Sequence, residues 1–300
     1  MVLSHPRMMV ASVHSFGDHQ EPARRFATAL DSPWRLISVR RFPDEESLVR
    51  IVPQKGAAVV YCPLDHPNER LVDLLLAASA MRDAGAKPVA LVAPYLCYMR
   101  QDVAFHPGEA VSQKVVARLL SGAFDRIVTV DPHLHRTHDL NDVFSIPVTQ
   151  QSAAQLLGAA IASDNSGEEV VLVGPDEESR PWVEAAAKAT AFPFLVGRKV
   201  RSADRTVEIE IESLDLVRGK IAVLIDDVVS TGSTIRNACR LLLDAGATRA
   251  DLYVTHMLSS VDDTRALYAA GIARIVSTDS VRHPTNVVQL APLLARALRG

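Results

Sequence analysis

The stretch from Ile221 to Thr234 constrains the fold most. Five apolar residues, Ile221 to Ile225, lead through Asp226-Asp227 into Ser230-Thr231-Gly232-Ser233-Thr234, and Ile235, Ala238, Cys239 and Leu242 then recur at helical spacing. An unbroken apolar, β-branched run needs cover on both faces, which a strand finds inside a parallel sheet. Such strands present ligands at their carboxyl ends. The turn into the helix leaves backbone N–H groups unpaired at the positive end of the helix dipole, a setting for a phosphate dianion. Gly232 permits close backbone approach, and the hydroxyls of Ser230, Thr231, Ser233 and Thr234 add donors. Asp226 and Asp227, expected at the strand tip, can accept from sugar hydroxyls or hold magnesium through water. A capped strand-turn-helix without ligand is the plain alternative, and the acid pair ahead of the loop weighs against it. No Gly-Lys-Ser/Thr closes the loop, so it is not a Walker A motif.

Further apolar runs, Ala58 to Cys62, Val89 to Ala93, Ile127 to Val130 and Val170 to Val173, alternate with helical patterns and predict an α/β chain with parallel sheets. Part of this order repeats. Asp83-Ala84-Gly85-Ala86 and the strand after it recur as Asp244-Ala245-Gly246-Ala247 before Leu252 to His256, and Arg126 to Asp131 recurs as Arg274 to Asp279. Two related halves follow, 1–147 and 148–300, divided in the polar, Pro-containing stretch Ser145 to Ser152. With 300 residues, 48% of them hydrophobic, each half can build its own core. The net charge of -3 offers no basic footprint for nucleic acid. No apolar run is long enough for a membrane span, and no signal pattern opens the chain. Cys62, Cys97 and Cys239 lie far apart in apolar surroundings, as buried thiols of a reducing, cytoplasmic compartment would.

The loop at 230–234 resembles the PRPP-binding signature of type I phosphoribosyltransferases and equally that of ribose-phosphate pyrophosphokinases, the PRPP synthetases. Duplication favours the second family, whose members carry two such domains. The resemblance extends through residues 94–135, from Pro94-Tyr95 and Tyr98-Met99-Arg100-Gln101-Asp102 to Thr129-Val130-Asp131-Pro132-His133. It implies two tandem phosphoribosyltransferase-type domains with central parallel sheets, and transfer of the β,γ-diphosphoryl group of MgATP to the 1-hydroxyl of ribose 5-phosphate, yielding PRPP and AMP. Such a transfer needs positioning, metal and cations more than covalent help.

The same resemblance distributes the roles. Asp226, Asp227 and Ser230 to Thr234 would hold ribose 5-phosphate, while Arg100 and Gln101 would meet the ATP phosphates. Phe42-Pro43-Asp44-Glu45-Glu46 resembles a Phe-x-Asp-x-Glu whose ring stacks on adenine while Asp44 and Glu46 accept from it, in a neighbouring subunit's site. A homo-oligomer with shared site residues is thereby implied. His133 and Asp176 would serve Mg2+. Lys199-Val200-Arg201 matches a Lys-x-Arg in a loop of the family, so Lys199 and Arg201 are the catalytic candidates. Only six of the 32 basic residues are lysine, which sets Lys199 apart from an ordinary solvated turn. The run His133 to His138 holds no cysteine and does not suit structural zinc, leaving His135 and His138 as surface residues.

Four sites depart from the pattern. Val103 stands where a basic residue is usual, Glu177-Glu178 replaces a Gly pair after Asp176, Glu45 replaces a Gly, and Ser233 replaces the second Gly of the PRPP loop. A non-catalytic regulatory paralogue and a PRPP-consuming phosphoribosyltransferase are the alternatives. Retention of Lys199 argues against the first, and no nucleobase hood is recognisable for the second.

Overall fold

The computed structural model describes residues 9–201 and 207–299, except that side chains from 200 to 208 are outside the description. The chain forms two compact units, one running up to Gln151 and including the tail from Gln289, the other Ser152–Val288. The expected division at 147/148 falls just before this break, but the tail lies with the first unit rather than the second.

The first unit runs β1 (Val10–Ser15), α1 (Gln20–Ala29), β2 (Trp34–Leu36), β3 (Ser38–Arg41), β4 (Ser47–Arg50), β5 (Gly56–Tyr61), α2 (Pro67–Asp83), β6 (Ala86–Ala93), α3 (Ser112–Ala123), β7 (Arg126–Val130) and β8 (Val148–Gln151). Its main sheet has the order β2-β1-β5-β6-β7-β8, parallel throughout, and β3 with β4 forms a separate antiparallel hairpin. Val59, Val60, Leu91, Val92, Ile127 and Val128 are fully buried, as runs without polar alternation require.

The second unit runs α4 (Ala154–Asp164), β9 (Val170–Gly174), α5 (Arg180–Thr190), β10 (Phe194–Arg201), β11 (Val207–Ile211), β12 (Ile221–Val229), α6 (Ser233–Asp244), β13 (Arg249–Met257), α7 (Val261–Ala269), β14 (Ile272–Thr278) and β15 (Asn286–Val288). Its sheet has the order β11-β10-β9-β12-β13-β14-β15, parallel but for the β10–β11 pair. From β10 to β15 this order repeats β2-β1-β5-β6-β7-β8 strand for strand, and in each unit a hairpin precedes the third strand of the sheet. The sequence repeats occupy matching places, at α2–β6 against α6–β13 and at β7 against β14.

The last helix, α8 (Ala291–Arg299), packs with α1 of the first unit. Arg126 donates to the carbonyls of Leu298 at 2.9 Å and Ala297 at 2.6 Å, placing a guanidinium at the negative end of α8. No helix among the described residues is long and apolar enough to cross a membrane.

Candidate active site

Two local expectations are corrected by the strands of the second unit. Asp226 and Asp227 do not end β12: the strand continues to Val229, because β13 is equally long and pairs Asp226 with Val254 and Val228 with His256. Lys199 does not lie in a loop. Antiparallel β11 carries β10 onward, pairing Lys199 with Ile209 and Arg201 with Val207, and Ile209 and Ile211 of β11 are buried.

Adjacency of β10, β9 and β12 assembles a charged cluster just past the end of β9, beside Asp226 within β12. Leu224 pairs with Val173 and Val196 with Gly174, so the segments carrying Asp226, Asp176 and Lys199 are neighbours. The Lys199 ammonium lies 2.6 Å from Asp176 Oδ2. Asp176 Oδ1 meanwhile accepts from the N–H groups of Glu178 and Ser179 at 3.1 and 3.3 Å, capping a short 3-10 turn. Partial burial disfavours the charged Lys199, yet Asp176, with Glu178 and Asp226 near it, outweighs this and holds its pKa above the ordinary lysine value. Asp226 is driven well above the usual carboxylate range by burial and by the charges of Asp227 and Asp176. Its Oδ1 accepts the Asp227 N–H at 3.0 Å.

Beyond β12 the loop turns at Gly232, which has φ 67 and serves as the N-cap of α6 with no side-chain cap bond. The expected role of this glycine, close approach to a ligand, has a packing counterpart: a Cβ there would stand 2.8 Å from Leu267 Cδ2 on α7. Ser259 Oγ donates to the Ser230 carbonyl at 2.7 Å, and Arg236 donates to that of Thr231 at 2.7 Å. These bonds tie down the carbonyls of the loop ahead of α6. Ser230, Thr231 and Ser233 are exposed, and among the described residues the hydroxyls of Ser230, Thr231, Ser233 and Thr234 make no hydrogen bond. Ser233 is tolerated in place of glycine because it is the first residue of α6 and needs no positive φ.

In the first unit, Arg100 is exposed in the irregular segment between β6 and α3, and Gln101 accepts from Ser112 Oγ at 3.1 Å. Asp102 binds Arg136 at 3.0 Å, joining this segment to the one after β7. There Asp131 is buried with φ 37, a left-handed strain just ahead of His133. The His133 and His135 rings meet edge to face at 4.7 Å. Phe42, Asp44 and Glu46 are all exposed in the β3–β4 turn, where the Arg40 guanidinium covers the Phe42 ring at 4.8 Å. Among the described residues no hydrogen bond or ring contact links this turn to Arg100, Gln101 or His133. Glu45 has φ 68, which explains why glycine suits that position. The side chain of Arg201 lies outside the described residues.

The sequence did not single out Gly174, Gly197, Ser179 or Ser259. A Cβ on Gly174 would collide with the Ser179 hydroxyl, and one on Gly197 would stand 2.5 Å from the Pro175 carbonyl oxygen. These two glycines let β9 and β10 close on the Asp176 turn. Glycine at the end of one apolar strand and inside the next was the available signal.

Residues 11–123 match the N-terminal domain of ribose phosphate pyrophosphokinase, and residues 144–289 match the phosphoribosyl transferase domain. The ribose-phosphate pyrophosphokinase of Methanopyrus kandleri is 37% identical over 279 residues, covering 92% of this chain and 94% of the relative. That of Methanothermobacter thermautotrophicus is 32% identical, covering 93% and 97%. The crystal structure of phosphoribosylpyrophosphate synthetase from Mycobacterium smegmatis superposes with a TM-score of 0.81 at 30% identity, covering 96% of this chain and 98% of that one.

Proposed function

The chain belongs to the ribose-phosphate pyrophosphokinase family, and from that premise we propose how its residues divide the work of making PRPP and AMP from ATP and ribose 5-phosphate. The observation that carries the assignment is the cluster just past β9 and along β12: a lysine paired with Asp176, with Glu178 and Asp226 near it, on the sheet whose strand β12 leads into a loop of uncommitted hydroxyls before α6. The α6 N-terminus and Ser230 to Thr234 take the 5-phosphate, and Asp226 and Asp227 accept from the ribose hydroxyls. This leaves the 1-hydroxyl oxygen to bond to the β-phosphorus of ATP while the bond from that phosphorus to the AMP oxygen breaks.

Lys199, drawn from Asp176 toward the moving diphosphoryl group, offsets negative charge there, with Arg201 beside it in sequence. In the first unit Arg100 and Gln101 serve the ATP phosphates, and Phe42, Asp44 and Glu46 serve adenine, the last three from a neighbouring copy in a homo-oligomer. The carboxylates of Asp176 and Asp226 are oxygen donors of the kind a hard divalent ion takes, and a cation there would relieve the like charge that crowds Asp226, while His133 would add a nitrogen. Asp176 and His133 are assigned to Mg2+, which when bound neutralises phosphate charge. Glu177 and Glu178 are exposed, which lets solvent screen their extra charge and is compatible with turnover. Three buried thiols fit a reducing, cytoplasmic setting.

Purified protein given MgATP and ribose 5-phosphate is expected to produce AMP and PRPP in equal amounts. Lys199→Ala should lower kcat by about 10²–10³-fold with small changes in KM. A full rate in that variant refutes the assigned role of Lys199, and binding of both substrates without AMP refutes turnover itself.

A further inference from the structure

One buried hydroxyl of the second unit reaches back to the loop assigned to ribose 5-phosphate. Ser259 lies between β13 and α7 and is 7% exposed. Its Oγ donates to the Ser230 carbonyl at 2.7 Å. A trans peptide holds its C=O and N–H on opposite sides of one plane, so a bond that fixes the Ser230 carbonyl also fixes the Thr231 N–H, pointing away from Ser259. That N–H has no hydrogen-bond partner among the described residues. A donor held in one direction before an anion arrives binds it more tightly, because little ordering remains to be done on binding.

Ser259 is itself firmly seated. On one flank the Leu258 N–H donates to the Val229 carbonyl at 2.8 Å, and on the other Ser260 caps α7 by accepting from the Asp263 N–H at 3.1 Å. His283, from the segment between β14 and β15, completes the seat. Its Nδ1 accepts from the Thr285 N–H at 3.3 Å, which leaves the ring proton on Nε2. Nε2 lies 3.3 Å from Thr264 Oγ1, whose own proton goes to the Ser260 carbonyl at 2.9 Å, and the ring also hydrogen-bonds the Ser259 backbone. Contacts therefore run from His283 through Ser259 to the Ser230 carbonyl, all within the second unit.

We propose that Ser259 and His283 are positioning residues for ribose 5-phosphate: Ser259 fixes the Ser230 carbonyl so that the Thr231 N–H is aimed at the 5-phosphate before it binds, and His283 keeps Ser259 in place. Both act through the loop and neither contacts substrate. The inference rests on the assignment of residues 230–234 to that phosphate. Losing either side chain should weaken the hold on ribose 5-phosphate and spare the transfer step, because Lys199 is carried by β10.

The test is initial-rate kinetics of the full chain over both substrates, with circular dichroism of each variant to confirm folding. Ser259→Ala should raise the KM for ribose 5-phosphate by about 10-fold, with kcat and the KM for ATP within about twofold of wild type. His283→Ala should raise the same KM by about 3-fold, and His283→Gln, which keeps an N–H donor, should restore most of the loss. Because His283 acts through Ser259, the double alanine variant should match Ser259→Ala instead of multiplying the two effects. If Ser259→Ala does not fold, His283→Ala and His283→Gln carry the test, since that ring is only half-buried. A folded Ser259→Ala with an unchanged KM for ribose 5-phosphate, a loss confined to kcat, multiplying effects in the double variant, or a Gln variant no better than Ala would each overturn the proposal and leave the enzyme assignment standing. A wild-type chain that makes no PRPP overturns that assignment, and this inference with it.

Discussion

Replacing Gly197 by Ala tests how the charged cluster is assembled. The added Cβ would stand 2.5 Å from the Pro175 carbonyl oxygen and 3.1 Å from Ile209 Cγ2. The nearer atom is backbone and cannot swing away as a side chain end would. Ordinary van der Waals separation requires about 1 Å more, so β10 must move from the Pro175–Asp176 turn or the turn must move from β10. Gly197 does not have a positive φ, so the whole cost is steric. Overpacking of this kind costs about 1–3 kcal/mol, which lowers Tm by about 2–5 °C in a chain of 300 residues.

The functional effect should be larger than the thermal one. Lys199 lies two residues along the same strand and meets Asp176 at 2.6 Å. A displacement near 1 Å in a positioned group can lower a rate by about 100-fold. The loop proposed to hold ribose 5-phosphate follows β12 rather than β10, so the KM for that substrate should change much less than kcat. Thermal melts and initial rates over both substrates provide the measurement. A variant with Tm within 1 °C of wild type and an unchanged kcat would refute the claim that this close approach delivers Lys199.

Asp226→Asn should stabilise the free protein at neutral pH while raising the KM for ribose 5-phosphate. The folded pKa of Asp226 is raised, so its destabilising effect is absent below the unfolded pKa of about 4, grows as pH rises through the folded value and persists above it. The gain in urea midpoint over wild type should therefore vanish in acid, and a gain largest in acid would contradict the assigned burial and charge crowding. Glu45→Gly should stabilise the chain by about 1 kcal/mol, the relief of a left-handed backbone less the entropy glycine adds to the unfolded state; a lower urea midpoint would show that the Glu45 side chain contributes more than its backbone strain costs. Burial pushes the Cys62 thiol far up, Cys97 up to about 12 and Cys239 up to about 11. A disulfide reagent at pH 8 should therefore label none of the three in the folded chain and all three after unfolding, and one fast-reacting thiol would refute the burial.

Strand existence was legible in the sequence because apolar β-branched runs have few ways to be buried. Ile221 to Ile225 and Val170 to Val173 form strands with every one of those residues buried. Repeated helix-glycine-strand junctions pointed to two similar halves, and the matching strand orders follow from that repetition. Strand ends were less legible. Nothing local says that β12 continues through two aspartates, because the ladder that holds them comes from β13. Lys199 read as part of a polar loop for a similar reason: β11 supplies the pairing that makes its segment a strand.

Local sequence carries the chemistry available to this protein: a hydroxyl-rich turn after an acid pair, a scarce lysine and their order along two α/β halves. These are properties of residue type and spacing, and they survive any choice of long-range packing. Tertiary structure decided which groups meet. It set Lys199 on Asp176, crowded Asp226 with like charge, required Gly197 and Gly232 through contacts with Pro175 and Leu267, and attached α8 to the first unit. The reason is physical: strand adjacency and steric closeness arise between residues distant in the chain, where no local pattern records them.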